Sequence, residues 1–288
     1  MNEQNSPKTD TNVILFEQPY KIYKYVALAI SAVICALGAI LFLLFSEKSS
    51  NYLIPSPLQT LFIILLVTTA MFSVLSCLFF KKAGRIGYDA RLPDFFRFLP
   101  AAAAIYCIIT EISAVEKNTL KILLIISAAI TVMHCISRAL KLHYIITATS
   151  GLAQALFGIL TVAKFYLNSS VELNAPAKLL LIFGALFSVF ATLADLRAIL
   201  GENNAAGFVI SNILSICLPV IALVAILKLP LISSVYSRDF LPYGIFFFST
   251  AICEIVKLPF TKVCVPSEVY EELDSLYTFP EDHDDEQE

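Results

Sequence analysis

This chain has few charged residues and none of the common catalytic signatures. Charged residues make up 15% of its 288 residues and hydrophobic residues 58%. In a typical soluble domain about a quarter of the residues are charged and about half are hydrophobic. No HExxH or GxSxG pattern is present, so nothing points to a zinc protease or an α/β-hydrolase. The sequence therefore favours a membrane protein without enzymatic activity, although it leaves an enzyme open as an alternative, and it assigns no catalytic residue and no cofactor.

The seven cysteines lack the spacing of a metal site or a disulfide framework. No CxxC pair occurs, and six of the seven lie within apolar stretches. Cysteines of this kind are typical packing residues, so the sequence predicts no metal ligands. The polar first dozen residues contain no basic segment that leads into an apolar core. We therefore expect no cleaved signal peptide, and we expect the first apolar stretch to direct insertion.

Eight apolar stretches, each about long enough to cross a bilayer, run from Tyr25 to Ile255. In hydrocarbon every backbone polar group must be satisfied within the protein, and helices achieve this. The sequence therefore predicts an all-α fold, a polytopic membrane helix bundle with eight transmembrane helices. We place the spans at about 25–45, 58–80, 96–115, 119–138, 144–165, 178–197, 207–228 and 240–257.

The distribution of lysine and arginine predicts which way the bundle faces. With a cytoplasmic N-terminus, 13 of these residues lie inside and 7 outside, and such an excess is typical of the cytoplasmic side. The loop from Lys81 to Arg97 holds five of the 13, and we interpret it as a surface anchor. We expect a cell-membrane protein with a cytoplasmic tail at 1–22, a transmembrane domain at 23–260 and a cytoplasmic acidic tail at 261–288.

The even-numbered spans share a short pattern. The segments AMFSVLSCL, from Ala70, and ALFSVFATL, from Ala185, are identical at five of nine positions. Similar segments in spans four and eight give successive spacings of 58, 57 and 61 residues. Two interpretations stay open. Either the chain consists of four tandem helical hairpins that arose by duplication, or the similarity is due to chance because apolar helices use few residue types.

Four ionisable side chains near the cytoplasmic ends of the even spans form a candidate polar cluster. His134 and Arg138 lie in span four, Asp195 in span six and Glu254 in span eight. Ionisable residues inside a membrane are rare and often functional, so this group is a candidate gate or binding site. The alternative is that these side chains reach the headgroup layer and only mark helix ends.

A second candidate region, a solute path, involves Asn212, Pro219 and Glu111. Pro219 lies in the middle of span seven, where we expect a kinked or broken helix, and broken helices often line transporter sites. Asn212 is placed to hydrogen-bond between helices. Glu111 lies near the outer end of span three, where it either pairs with Lys117 or Lys121 or faces a cavity and binds a cation.

Three functional hypotheses are compatible with these features. The first is a permease-like protein, or permease subunit, for a small and mostly uncharged solute or a lipid. The second is a non-catalytic membrane component that assembles with a protein partner through its C-terminal tail, where 267–277 predicts an amphipathic helix. The third is an intramembrane lipid-acting enzyme that uses the polar cluster. The expected partners are the lipid bilayer and a tail-binding protein, and no feature predicts nucleic-acid binding.

Overall fold

The computed structural model describes residues 8–46, 53–88, 91–113, 119–168, 175–228 and 239–264. These residues form nine α-helices, a short 3-10 turn at Leu258–Phe260 and two short strands. In chain order the elements are α1 (Lys8–Phe45), α2 (Pro57–Phe80), β1 (Arg85–Tyr88), α3 (Arg91–Phe95), α4 (Phe98–Ser113), α5 (Thr119–Ala139), α6 (Tyr144–Leu167), α7 (Pro176–Ile199), α8 (Ala205–Lys228), α9 (Leu241–Lys257) and β2 (Thr261–Cys264).

Eight helical segments are long and apolar enough to cross a membrane, with α3 and α4 together forming the third. The predicted all-α polytopic bundle is confirmed. The prolines that mark helix starts in the sequence do so in the structure, since α2 begins at Pro57 and α7 at Pro176. Pro fits the first helical turn because the amide it lacks has no intrahelical partner there.

Large apolar side chains cover the outer surface of the bundle. Leu44 is 71% exposed and Leu75 63% exposed, and only 22% of the apolar window of α2 is buried inside the protein. In water, apolar patches of this extent would drive association. In hydrocarbon they face a matching solvent, so the chain is a multi-pass membrane protein.

Helix α8 lies at the centre of the bundle. In its apolar window 78% of the residues are buried, and it packs against α1, α2, α7 and α9. Helices α1 and α8 run parallel: the Tyr23 hydroxyl donates to the Val209 carbonyl (3.1 Å), and Lys228 Nζ donates to the Phe42 carbonyl (2.8 Å). Both pairs are separated by 186 positions, so the two helices keep one register along their length.

Helix α8 is continuous through Pro219, so the expected break in span seven is absent. A Cβ atom added to Gly184 would lie 3.2 Å from the backbone nitrogen of Pro219. Glycine therefore allows α7 to pack directly against the proline, where the regular helix hydrogen bond is missing. This close approach fixes α7 and α8 as antiparallel neighbours at mid-bundle.

The basic loop after α2 contains an unpredicted strand. Strand β1 pairs antiparallel with β2, from Arg85 opposite Cys264 to Tyr88 opposite Thr261, and forms a two-stranded ribbon. Asn204 holds the ribbon on the bundle, because its side chain accepts from the Ile86 amide (2.7 Å) and donates to the Ile86 carbonyl (2.9 Å). The ribbon covers one end of the helices, which we call the ribbon end.

The first and last spans meet at the ribbon end. The Tyr20 hydroxyl donates to Thr261 Oγ1 (2.8 Å), and Lys24 Nζ donates to the Pro259 carbonyl (2.7 Å). Helix α1 begins at Lys8, within the segment predicted as a tail. The predicted amphipathic helix at 267–277, the acidic end of the chain and residues 1–7 lie outside the described residues.

Candidate functional site

Asp195, near the C-terminal end of α7, pairs with two cations from other helical segments. Its Oδ2 atom accepts from Arg97 Nη2 at 2.9 Å, and its Oδ1 atom accepts from Lys257 Nζ at 2.8 Å. Asp195 is 9% exposed, and Lys257 only 1% exposed. A buried carboxylate needs such partners because removing its charge from water is costly.

Glu254 joins this group through the same lysine. Its Oε2 atom lies 2.5 Å from Lys257 Nζ, one turn away on α9, and the Glu254 side chain is buried. Lys257 therefore bridges two carboxylates and also lies 5.1 Å above the centre of the Phe208 ring on α8. Residues of three helices, α7, α8 and α9, thus meet at this lysine.

A second set of charges continues the group beneath the ribbon. Arg138 of α5 pairs with Asp94 of α3 at 3.3 Å and donates to the hydroxyl of Tyr88. That hydroxyl donates in turn to Asp94 Oδ1 (2.8 Å). Burial of the hydroxyl raises the pKa of Tyr88, which lies outside the spans. The phenol therefore stays neutral and can donate this hydrogen bond.

The two sets form one cluster, because Arg97, which pairs with Asp195, also donates its backbone amide to the Asp94 carbonyl (3.1 Å). We call it the ribbon-end cluster: Tyr88, Asp94, Arg97, Arg138, Asp195, Glu254 and Lys257. It holds three cations and three carboxylates, so the ionised cluster carries no net charge. Charge balance of this kind is what allows ionised groups to persist away from water.

The structure brings together three of the four residues of the predicted polar cluster. Asp195 and Glu254 share Lys257, and Arg138 joins the same cluster through its ion pair with Asp94. His134 takes no part in an ion pair among the described residues: its Nδ1 lies 3.0 Å from the Thr147 carbonyl of α6. Its contacts therefore tie α5 to α6 near the cluster and leave the carboxylates to other partners.

Sequence reasoning missed four members of the ribbon-end cluster. Tyr88, Asp94 and Arg97 belong to the loop that was interpreted as a surface anchor, and Lys257 entered only the count of cytoplasmic cations. One signal was available, because Lys257 lies three residues after Glu254 and so faces the same side of the helix. Nothing in the sequence placed Arg97 beside Asp195, which is 98 residues away.

A smaller polar group lies at the opposite end of the bundle. Glu111 of α4 forms an ion pair with Lys164 of α6 and accepts a hydrogen bond from the Tyr243 hydroxyl of α9 (2.7 Å). Glu111 is 6% exposed. Its expected partners were Lys117 and Lys121, but the lysine that it contacts comes from span five. We call this trio the far-end cluster.

The two clusters lie at opposite ends of the same helices. Arg97 and Glu111 are fourteen positions apart along span three, and so are Tyr243 and Lys257 along span eight. At 1.5 Å per residue this is about 21 Å of helix. Between the clusters lie packed aromatic rings, with the centres of Phe157 and Phe246 4.9 Å apart.

Between the two clusters, within about two helix turns of the ribbon-end cluster, lie uncharged polar groups without hydrogen-bond partners among the described residues. They include both side-chain atoms of Asn212, Oε1 of Gln154 and the hydroxyl of Ser188. Pro219, the other predicted residue of a solute path in α8, is buried against α7. Among the described residues no group of three His, Cys, Asp or Glu side chains is placed to hold a metal ion.

Comparison with known proteins finds no matching family model, no similar curated protein and no similar solved structure.

Proposed function

We propose that this protein is a permease-like membrane protein for a small uncharged solute. The observation that carries the proposal is the pair of buried polar clusters at opposite ends of α4 and α9, with an uncharged polar layer between them. This arrangement resembles two closures around a central compartment. The described conformation would then be one in which both closures are formed.

Each cluster has the chemistry of a closure that can open. Ion pairs hold helices together when buried, but they lose little when water reaches them, because each charge is then solvated separately. Separation of Asp195 from Lys257 would let water enter from the ribbon end. Separation of Glu111 from Lys164 would let water enter from the far end. Opening one end at a time is the general scheme of alternating access.

The ribbon end is the proposed cytoplasmic side. The basic loop from Lys81 to Arg97 lies at this end, and positive charge favours the cytoplasmic face. Tyr20 and Thr261 also meet here, so both tails leave the bundle on the same side. Assembly with a protein through the acidic tail is compatible with this orientation and remains a separate proposal.

An intramembrane enzyme receives less support from this geometry. His134, the natural acid or base of such a site, hydrogen-bonds to the Thr147 carbonyl. Asp195 is occupied by two cations. A general base must reach its substrate's proton by a hydrogen bond, and these contacts leave neither side chain directed at a common point.

Water access to the middle of the bundle tests the permease proposal. In a variant without the seven native cysteines, Ser188→Cys places a thiol in the uncharged layer, and Phe190→Cys places one on the lipid-facing side of the same helix, where Phe190 is 52% exposed. Both are reconstituted in liposomes and treated with a charged methanethiosulfonate reagent. We expect Ser188→Cys to react about tenfold faster, because opening supplies water that hydrocarbon does not.

The Phe190→Cys variant is the matched control for folding and for reagent leakage. Equal, negligible reaction of the two thiols in folded protein would contradict the permease proposal and favour a filled bundle with an assembly role.

A further inference from the structure

We propose that the bundle interior just inside the ribbon-end cluster binds a small uncharged solute that carries both hydrogen-bond donors and acceptors, such as a polyol or an amide. This inference rests on the proposed permease function and adds the substrate class and the binding residues. It assigns three side chains to the solute: Asn212 of α8, Ser188 of α7 and Gln154 of α6.

Asn212 is the central element of the site. It is 2% exposed, and neither its oxygen nor its nitrogen has a hydrogen-bond partner among the described residues. The neighbouring hydroxyls of Ser211 and Ser215 donate to carbonyls of their own helix, so neither donates to the amide oxygen. A buried amide without partners is rare in proteins and calls for a ligand or water.

The position of Asn212 on α8 directs it toward α7 and α9. Phe208, one turn earlier, lies against Lys257 of α9, and Pro219, two turns later, lies against Gly184 of α7. Positions spaced by four and seven residues share one face of a helix. Asn212 therefore lies on the face between these two neighbours, one turn inside the ribbon-end cluster.

Ser188 lies on the corresponding face of α7. It precedes Asp195 by seven residues, so its side chain leaves the helix on the side of the ribbon-end cluster. Its hydroxyl is buried, with no partner among the described residues. Ser188 is thus about 10 Å of helix inside Asp195, at the depth of the uncharged layer.

Gln154 completes the layer from α6. Its Nε2 atom donates to Thr192 Oγ1 (3.3 Å), and Thr192 lies one turn from Ser188 on α7. The Gln154 Oε1 atom has no partner in the described part of the chain. The Gln154 amide is therefore held beside the turns of α7 that contain Ser188 and Thr192, and its oxygen can accept a hydrogen bond from the solute.

The chemistry of these groups selects the solute. Together they present amide and hydroxyl donors and carbonyl acceptors, and no charged side chain is among them. An ion would find no countercharge in this layer, and a lipid tail would leave every polar group unpaired. A polyol or an amide satisfies both donors and acceptors at once, which makes it the class that fits.

Uptake of radiolabelled glycerol, urea and inositol into proteoliposomes tests the assignment. We expect the protein to accelerate uptake of at least one of the three. Asn212→Leu should slow that uptake about tenfold at low solute concentration, as the loss of a buried hydrogen-bonding group would. Gln154→Leu should slow it as well, and it serves as the second variant if Asn212→Leu does not fold.

Ser73→Ala is the matched control, because it also removes a buried, unpartnered hydroxyl but lies on α2. It should leave uptake unchanged. If the Ser188→Cys thiol is water-accessible but the protein transports none of the three solutes, the substrate class is overturned while the permease function stands. Uptake that survives both Asn212→Leu and Gln154→Leu would overturn the site. An inaccessible Ser188→Cys thiol would instead remove the permease function on which the inference rests.

Discussion

Asp195 Oδ1 and Lys257 Nζ lie 2.8 Å apart and join the ends of α7 and α9 across 62 residues of sequence. Both side chains are almost completely buried, with 11% and 2% of the side chain exposed. The contact belongs to a neutral cluster, so the loss of either partner leaves an unbalanced charge inside the protein.

Asp195→Ala should therefore destabilise the protein by about 3 to 5 kcal/mol, because Arg97 and Lys257 lose a shared partner while they remain buried. Thermal unfolding of the detergent-purified protein measures the loss. Arg197→Ala is the control, since Arg197 and Glu202 are 3.8 Å apart and about 64% and 63% exposed. Loss of that exposed pair should lower the free energy of unfolding by less than about 1 kcal/mol. Equal effects of the two variants would contradict the buried cluster.

The far-end cluster predicts energetic coupling between Glu111 and Lys164. A double-mutant cycle with Glu111→Gln and Lys164→Gln should give a coupling free energy of about 1 to 3 kcal/mol in unfolding, since the pair is direct and largely buried. A second cycle, with Glu111→Gln and Lys121→Gln, tests the pairing of Glu111 with Lys121 that the sequence suggested. A larger coupling to Lys121 than to Lys164 would show that the far end is built differently.

Gly184 and Gly207 provide a matched test of the α7–α8 packing. A Cβ at Gly184 would lie 3.2 Å from backbone of Pro219, whereas a Cβ at Gly207 would lie 3.6 Å from Ala194. Gly184→Ala should cost about 1 to 3 kcal/mol through overpacking, and Gly207→Ala should be neutral or stabilising by up to about 1 kcal/mol. The reverse order in thermal unfolding would rule out the close approach at Pro219.

Asn204 should control the stability of the ribbon. Its side chain makes both hydrogen bonds to the backbone of Ile86 and a third to the Ala194 carbonyl (3.2 Å). In Asn204→Ala, hydrogen exchange of the β1 amides should therefore become much faster, because β1 loses its attachment to the bundle. Asn203→Ala removes a bond to the Ala205 amide and, among the described residues, no bond to the ribbon, so it should leave exchange in β1 unchanged. Unchanged exchange in Asn204→Ala would mean that the ribbon is held by other contacts.

Tyr88 predicts a pH dependence at the ribbon end. Burial raises the pKa of its phenol above the ordinary value of 10.0, so the stabilisation contributed by neutral Tyr88 is complete below about pH 10 and is lost as the pH rises through the folded-state pKa. Thermal unfolding of the native protein and of Tyr88→Phe between pH 8 and 11 measures this. The difference in thermal stability between the native protein and Tyr88→Phe should shrink only at the alkaline end of this range. A difference that stays constant from pH 8 to 11 would contradict the burial of the hydroxyl.

The spans were predictable from sequence because hydrophobicity and length alone define them. From the second span onward, most boundaries fall within about two residues of those predicted, since proline and loop polarity end the helices. The partner of Glu111 was not predictable, because span order along the chain does not fix which helices are neighbours. The ribbon was missed for a related reason: strands of four residues carry little periodic signal, and β1 pairs with a segment far along the chain.

The ribbon also explains why the polar cluster was only partly predicted. Arg97 and Lys257 lie near helix ends, where a sequence alone suggests contact with headgroups. In the fold, β1 and β2 cover that end, so both side chains are buried. The distance of a residue from a helix end is visible in the sequence, but the element that covers the end is not.

The sidedness of access to position 188 distinguishes two separate closures from a single rigid bundle. In the Ser188→Cys background without native cysteines, Asp195→Asn weakens the ribbon-end cluster and Lys164→Gln weakens the far-end cluster. We expect Asp195→Asn to increase modification by a reagent added on the ribbon side, and Lys164→Gln to increase modification from the opposite side. Equal effects from both sides, or no effect of either substitution in folded protein, would contradict the existence of two separate closures.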